Sequence, residues 1–506
     1  MPDILFVHTN ASSTIYQDLS KKHSAIEPPI WAGMLANSVR VNGGSVAILD
    51  CEAEQLSHSE SVKRIIEIDP KLVCFVVYGQ QPSASTQSMM GSSLCSRILR
   101  ETEPEYPIIF VGGHVAALPE TVLKIEPQVD FVCQNEGVYT IRALVEAAVA
   151  GLDKADFSKI PGLGWRDSNG QVVMNPASKI VPKSRLEIDL PGIAWDLLPG
   201  LNSYRTAGWH SWSNSSVKTP FAALYTSLGC PYKCSFCMIN IINKVESGDI
   251  TAAESASFRW WNPEFIISQF DHFARHNVKN IKIADELFVL NPHHFETICD
   301  LIIERGYKFN IWAYSRIDTC KPRYLEKLKK AGINWLGLGI ENPSQILRKE
   351  IHKDGFKDVR ISDVIQEIRN AGINVGGNYI FGLPMDTHDS MCQTLDFALE
   401  HKTDMVNFYC AMAYPGSPLY RQALSEKWEL PETYSGYSQH SYDMLNLRNK
   451  NLTAAEICKF RDEAWMRYNT DASYLNLLES KFGVEAKQNM IDTCSIKLSR
   501  KLLEER

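Results

Sequence analysis

Residues 227–240 read SLGCPYKCSFCMIN, and this stretch decides how the rest of the chain is read. Cys230, Cys234 and Cys237 stand at a Cys-x3-Cys-x2-Cys spacing. The apolar run 221–225, FAALY, leads directly into it, which places three thiols on a loop leaving a buried strand. Iron–sulfur clusters are held by Cys thiolates, normally four of them. Three thiolates without a fourth leave one iron of a [4Fe–4S] cluster open to an outside ligand. A structural zinc site instead needs a closed set of four N/S ligands. The next candidates, His272 and His276, lie well downstream without finger-like spacing. Free cysteine also packs as a small hydrophobe. The trio alone therefore leaves cluster, zinc and plain packing open, and the features around it must decide.

At 506 residues the chain is long enough for several domains. The apolar share of 44% is ordinary, and a net charge of −7 supplies no basic field for a nucleic-acid backbone. No window approaches the roughly 18 apolar residues of a membrane span. The start, MPDILFVHTN, runs straight into a strand-like segment without a cationic region and cleavage site, so no signal peptide is expected. Thirteen cysteines, scattered except for one tight group, suit a reducing cytoplasm with a metal site rather than a disulfide framework.

Upstream of the cysteine loop, short apolar runs at 4–8, 46–49, 72–78, 108–111 and 131–133 alternate with helical patterns. That alternation predicts a parallel sheet covered on both faces, a flavodoxin-like doubly wound domain over residues 1–150. Ligands of such domains bind at the carboxyl ends of the strands. The loops expected there carry Gln80, Ser83, Ser85 and Thr86 after the third run, Gly112, Gly113 and His114 after the fourth, and Glu136 and Gly137 after the fifth. Each loop alone is an ordinary turn. Together on one edge they suggest a pocket for a large, polar, non-nucleotide ligand, since no G-x-G-x-x-G is present. Residues 151–215, rich in turn signals and holding Trp209, His210 and Trp212, are expected to be an ordered linker.

Downstream, strand-like runs end in Asp285-Glu286, in Arg316, in Glu341 and in Gly382, with helical segments between. About six such βα units predict a partial (β/α)6 barrel of the TIM type over 216–418, whose functional side chains belong at the strand ends. Residues 419–506 turn mainly helical, with Thr453 to Glu456 a capping box.

The cysteine string, followed by acid and Arg at successive strand ends, resembles the radical S-adenosylmethionine (SAM) superfamily. The Gly112-Gly-His, Pro119-Glu120, Val129-Asp-Phe-Val and Glu136-Gly137 strings resemble the cobalamin-binding domain that precedes many of its members. The resemblance implies that Cys230, Cys234 and Cys237 ligate a [4Fe–4S] cluster. It implies SAM contacts from Phe236, Asp285, Glu286, Arg316 and Glu341, and cobalamin on the N-terminal strand-end loops. One departure is plain: the D-x-H-x-x-G string that gives cobalt a lower histidine in methionine-synthase-like domains is absent, and Asp386-x-His388 lacks the glycine and falls in the barrel. Arg259 is expected either near SAM or as an exposed helix-start residue.

The implied activity is a C-methyltransferase acting on an unactivated carbon of a small-molecule or natural-product substrate, through a 5′-deoxyadenosyl radical and methylcobalamin. A flavodoxin or ferredoxin would supply electrons, and the C-terminal domain would cap the substrate. A cobalamin-dependent cyclase, oxidase or rearrangement enzyme fits the same residues, and a non-catalytic sensor is a further reading. Neither nucleic acid nor membrane is an expected partner.

Overall fold

The computed structural model describes residues 1–353 and 359–504; the charged C-terminal end reaches two residues further, and these lie outside the described part. Strands β1 (Ile4–His8), β2 (Val46–Asp50), β3 (Val73–Val77), β4 (Ile108–Gly112) and β5 (Phe131–Cys133) form a parallel sheet in the order 2-1-3-4-5. β3 and β4 are buried along their whole length, as strands covered by helices on both faces must be. The period-two alternation sorts their side chains. Leu5, Val7, Phe75 and Phe110 pack under the helices His58–Ile68 and Ala84–Thr102, whereas Ile4, Phe6, Cys74 and Ile109 belong to the core that continues into the barrel. β6 (Leu163–Arg166) and β7 (Val172–Met174) extend this sheet antiparallel from β5. The sheet thus runs on to residue 174, into the segment that the sequence reading treats as linker.

β8 (Phe221–Leu224) opens the second unit. It is followed by a two-stranded antiparallel piece, β9 (Ser227–Cys230) with β10 (Ser257–Trp260), and then by β11 (Asn280–Ile283), β12 (Asn310–Arg316), β13 (Ile333–Glu341), β14 (Asn374–Phe381) and β15 (Met405–Cys410). The six parallel strands run β8-β11-β12-β13-β14-β15, with β8 and β15 left as the two unpaired ends. This is the partial barrel expected. Three of its crossover helices, Pro263–Arg275, Pro292–Glu304 and Pro322–Lys330, begin on a proline whose fixed φ and missing N–H suit the first turn.

The capping box of helix Ala454–Asn469 forms as read, with Thr453 and Glu456 bonded reciprocally. That helix and the segment beyond it complete one wall of the space between the two sheets. Phe482, at the end of the next helix, stacks on Trp335 of β13 with centroids 5.6 Å apart.

Candidate functional site

β9 delivers the three cysteines. Gly229 holds a φ of +83°, and a Cβ there would sit 2.2 Å from the Ser257 carbonyl oxygen, so only glycine lets β9 and β10 approach. The loop then turns tightly, with Cys237 N donating to Cys234 O at 3.1 Å. It is tied to later parts of the barrel by Ser235 N to Ile351 O at 3.1 Å and Leu419 N to Ser235 O at 2.8 Å. Of the thirteen cysteines, only these three and Cys392 are not buried. Burial pushes the Cys230 thiol up to about 12 and raises Cys234 and Cys237, so the loop favours thiols until a metal charge draws off the protons. Among the described residues no three His, Cys, Asp or Glu side chains converge on a single metal-ion position. Three thiols on one loop are the donor chemistry that an iron–sulfur cluster takes.

Three of the predicted SAM contacts stand around this loop. Arg316, at the end of β12, donates to Asp318 at 2.9 Å and lies over the Tyr232 ring at 3.9 Å. Glu341, at the end of β13, holds an unusual φ of +60° and pairs with Lys353, whose ammonium is 5.9 Å from the Phe236 centroid. Phe236 packs among Leu347, Ile351 and Leu383.

The Asp285-Glu286 pair divides. Asp285 is fully buried and accepts from Thr226 N, Thr226 Oγ1 and Ser227 Oγ, each at 2.6 Å. It fixes the turn from β8 to β9, with both carboxylate oxygens engaged within the protein. Glu286 has no hydrogen-bond partner among the described residues and lines a small cavity with Ser85, Gly113, Gly229 and Met238. Burial first, and the neighbouring Asp285 charge second, push its carboxyl up to about 8. It is the acid of the pair available to a cationic ligand.

Between the carboxyl edge of the first sheet and the inside of the barrel lies a cavity of about 990 Å³. Strand order reverses between β1 and β3, the switch point at which an open α/β sheet binds its ligand. Gln80 and Ser83 line the cavity there. Gln80 Oε1 and Gln81 Nε2, both on its wall, are buried without partners. An orphaned amide acceptor and an orphaned amide donor match the carboxamide arms of a corrin, each of which offers both groups.

The other predicted cobalamin contacts are engaged within the protein. Ser85 Oγ donates to Val77 O and accepts from His114 N. Thr86 Oγ1 meets His114 Nδ1 at 3.2 Å. His114 is buried, down to about 4 by desolvation, and stands edge-on to Tyr434. Gly112 lets the backbone pass close to β3, where a Cβ would be 2.2 Å from Val77 O, and Gly137 adopts a φ of +79° to start the next helix. The Glu136 carboxylate takes Arg259 at 2.8 Å. Arg259 is thus neither exposed nor on a helix: it lies in β10, 6% exposed at the side chain, as a bridge to the N-terminal sheet.

Sequence reasoning missed the barrel's own cavity lining. Lys282, Trp312, Tyr314, Asn407 and Tyr409 project inward, and Lys282 pairs with Glu27 at 2.9 Å beneath the Trp312 ring. The signal was available, because 312 and 314, like 407 and 409, are alternate positions of a strand whose neighbours face the core. Trp209 lines the same cavity edge-on to Trp312 and Trp335, while His210 anchors the linker by its bond to Asn310 O at 3.1 Å. Of the polar loop after the barrel, His440 reaches the cavity and Tyr434 bonds Glu126 at 2.9 Å.

Fold and site together define a class: a doubly wound ligand-binding sheet set against a partial barrel with a three-cysteine loop. Residues 19–145 match the B12 binding domain family and residues 224–398 match the radical SAM superfamily. The chain is therefore a radical SAM protein with a B12-binding domain in front of its barrel. It is 26% identical over 443 residues to an uncharacterised methyltransferase of Pyrococcus horikoshii, covering 87% of each chain. It is 22% identical over 438 residues to an anaerobic magnesium-protoporphyrin IX monomethyl ester cyclase of Rubrivivax gelatinosus, covering 84% of this chain and 71% of that one. Its fold is that of the radical SAM methyltransferase TsrM from Kitasatospora setae, solved with cobalamin and a [4Fe–4S] cluster, with TM-score 0.66, 14% identity, and 97% and 100% of the two chains covered.

Proposed function

We propose that this protein is a cobalamin-dependent radical SAM enzyme that methylates an unactivated carbon of a small molecule. The observation that carries the reading is the cavity joining the switch point of the N-terminal sheet to the inside of the barrel, with a smaller cavity beside it, sharing Trp31, Tyr78 and Tyr225, that is lined by Gly229 and Met238 at the two ends of the cysteine loop and by Glu286. When bound, the cluster and SAM supply a carbon-centred radical and cobalamin supplies a methyl group.

The chain's own part is to bind, orient and keep water out. Cys230, Cys234 and Cys237 would hold the cluster. Glu286 would accept from the SAM ammonium and Arg316 would meet its carboxylate, a planar donor against a planar acceptor. The Glu341–Lys353 pair would face the ribose, and Phe236 the adenine. Gln80, Gln81 and Ser83 would meet the corrin periphery. Trp312, Tyr314 and Tyr409 form apolar walls with polar tips, suited to steer a substrate carbon while excluding water that would quench a radical. The domains then read as a cobalamin-binding unit, an ordered connector, the barrel and a helical cap.

We assign no substrate and take a flavodoxin or ferredoxin as electron donor. Among the described residues no helix is long and apolar enough to cross a membrane, and a cytoplasmic setting is part of the proposal. The test is anaerobic incubation of the reconstituted, reduced protein with methyl-labelled SAM and a small-molecule extract of the cells that carry the gene. Labelled product together with 5′-deoxyadenosine supports methylation. A SAM-dependent product without label points to the cyclase reading, which the Rubrivivax relative favours. Absence of SAM cleavage refutes both.

A further inference from the structure

His8 ends β1 and lines the large cavity at the switch point. Its Nδ1 lies 3.1 Å from Asp50 Oδ1, at the end of the neighbouring strand β2. The Asp50 carboxylate is itself fixed. Its Oδ2 accepts the Tyr204 hydroxyl at 2.8 Å and its Oδ1 accepts the Ala53 amide at 3.2 Å. With Asp50 ionised, the proton of the neutral ring stays on Nδ1 and the lone pair is left on Nε2. Among the described residues Nε2 has no hydrogen-bond partner.

A carboxylate behind an imidazole fixes its tautomer, holds the ring in one plane and raises the basicity of the free nitrogen, as it does behind metal-ligating histidines. Glu52 and Glu27, the latter paired with Lys282 at 2.9 Å, line the same cavity. An oriented ring nitrogen left free on the wall of a large cavity suits a metal centre. The pair escapes a motif search because its members are 42 residues apart and meet only through strand pairing.

We propose, resting on the cobalamin reading above, that His8 Nε2 is an axial ligand of the cobalt on the side of the N-terminal sheet, with Asp50 and Tyr204 as positioning residues. The bond is a lone-pair donation: no electron is transferred, and Nδ1 keeps its proton on Asp50.

The test is electron paramagnetic resonance of the full chain loaded with cobalamin and held as cob(II)alamin. One axial nitrogen-14 splits the cobalt lines into triplets, and nitrogen-15 splits them into doublets. Protein grown on nitrogen-15 histidine is expected to give doublets. His8→Ala is expected to lose that splitting while retaining cobalamin, and Asp50→Asn to shift part of the signal to the unsplit form, a ratio that a merely structural aspartate would leave unmoved. Triplets unchanged by labelled histidine would assign the nitrogen to the cobalamin's own base and overturn the proposal, as would an unsplit signal from the loaded wild type or doublets that persist in His8→Ala. Labelling needs no variant to fold. Failure of the wild type to retain cobalamin through desalting would sink the cobalamin reading itself, and the ligand with it.

Discussion

Replacing Arg259 by Ala tests whether the two sheets are locked by charge. The guanidinium is 6% exposed and the Glu136 carboxylate 1% exposed, at 2.8 Å. Each partner is also bonded to Val181, Arg259 to its carbonyl and Glu136 to its amide. Truncating one member of such a pair strands the other charge, a loss of about 3–5 kcal/mol. At about 1.4 kcal/mol per factor of ten, that is roughly a hundred- to several-thousand-fold in the folding equilibrium. Urea unfolding, read at the first transition, measures the loss. Glu136→Gln combined with Arg259→Met should recover most of the loss, because neither residue then leaves a buried charge. A deficit under about 1 kcal/mol, or a double variant as unstable as the sum of its singles, would refute the lock.

Cys234→Ala should abolish iron and sulfide incorporation and SAM cleavage while cobalamin retention survives; loss of cobalamin as well, by absorbance after desalting, would contradict the assignment. Gly229→Ala forces a left-handed residue and a contact at 2.2 Å onto the β9–β10 pair, strain of about 1–3 kcal/mol before the clash; iron content should fall although all three cysteines remain, and full cluster loading would count against the need for glycine there. Glu286 binds a proton more tightly folded than unfolded, its carboxyl being raised from 4.5 to about 8. Its contribution is therefore greatest below the unfolded value and is lost as pH rises through about 8. Glu286→Gln should flatten the stability profile across that window and weaken SAM binding by calorimetry; parallel melting curves for the two proteins would show that the carboxyl is not strained.

The sheets were legible because their signal is local. β1 and β5 were read to the residue, and all six barrel strands were found, since each is a short apolar run between helical patterns. The three-cysteine loop was legible as spacing. Less legible was which member of an adjacent polar pair faces the ligand. Asp285 and Glu286 are equivalent on paper, and only the hydroxyls of Thr226 and Ser227, brought up by the β8–β9 turn, decide that Asp285 turns inward. The same holds for Glu136. Its strand-end position is that of a ligand contact, but its partner, Arg259, is 123 residues away on a strand not read in advance. Ion pairs across a domain boundary leave no periodicity, so sequence reading finds the positions and not the partners.

These pairs also bear on how the two cofactor regions are held apart. The chain leaving the cysteine loop does not return directly to the barrel; it is stitched onto the N-terminal loops first. Lys244 N donates to Asn135 Oδ1 at 3.1 Å while Asn135 Nδ2 donates back to Lys244 O at 3.0 Å. Gly248 N reaches Gln134 Oε1 at 2.9 Å. Asp249 then takes Glu120 N at 2.7 Å and Thr121 N at 3.1 Å, capping the helix Pro119–Ile125 from the other unit and placing a negative charge at its positive end. With Arg259–Glu136 a few residues on and Lys282–Glu27 below, the segment between the cysteines and the barrel is fixed at both ends to the sheet that would carry cobalamin. Methyl transfer between a corrin and a carbon radical needs that separation constant, since a shift of about 1 Å in a near-attack geometry costs on the order of a hundredfold in rate. Cys234 lies outside the stitched segment, which is why its loss should spare cobalamin. Asp249→Ala lies inside it, and should leave both cofactors bound while uncoupling SAM cleavage from methyl transfer, read as 5′-deoxyadenosine formed in excess of methylated product. An unchanged ratio of the two would mean that the barrel, and not this stitch, sets the distance.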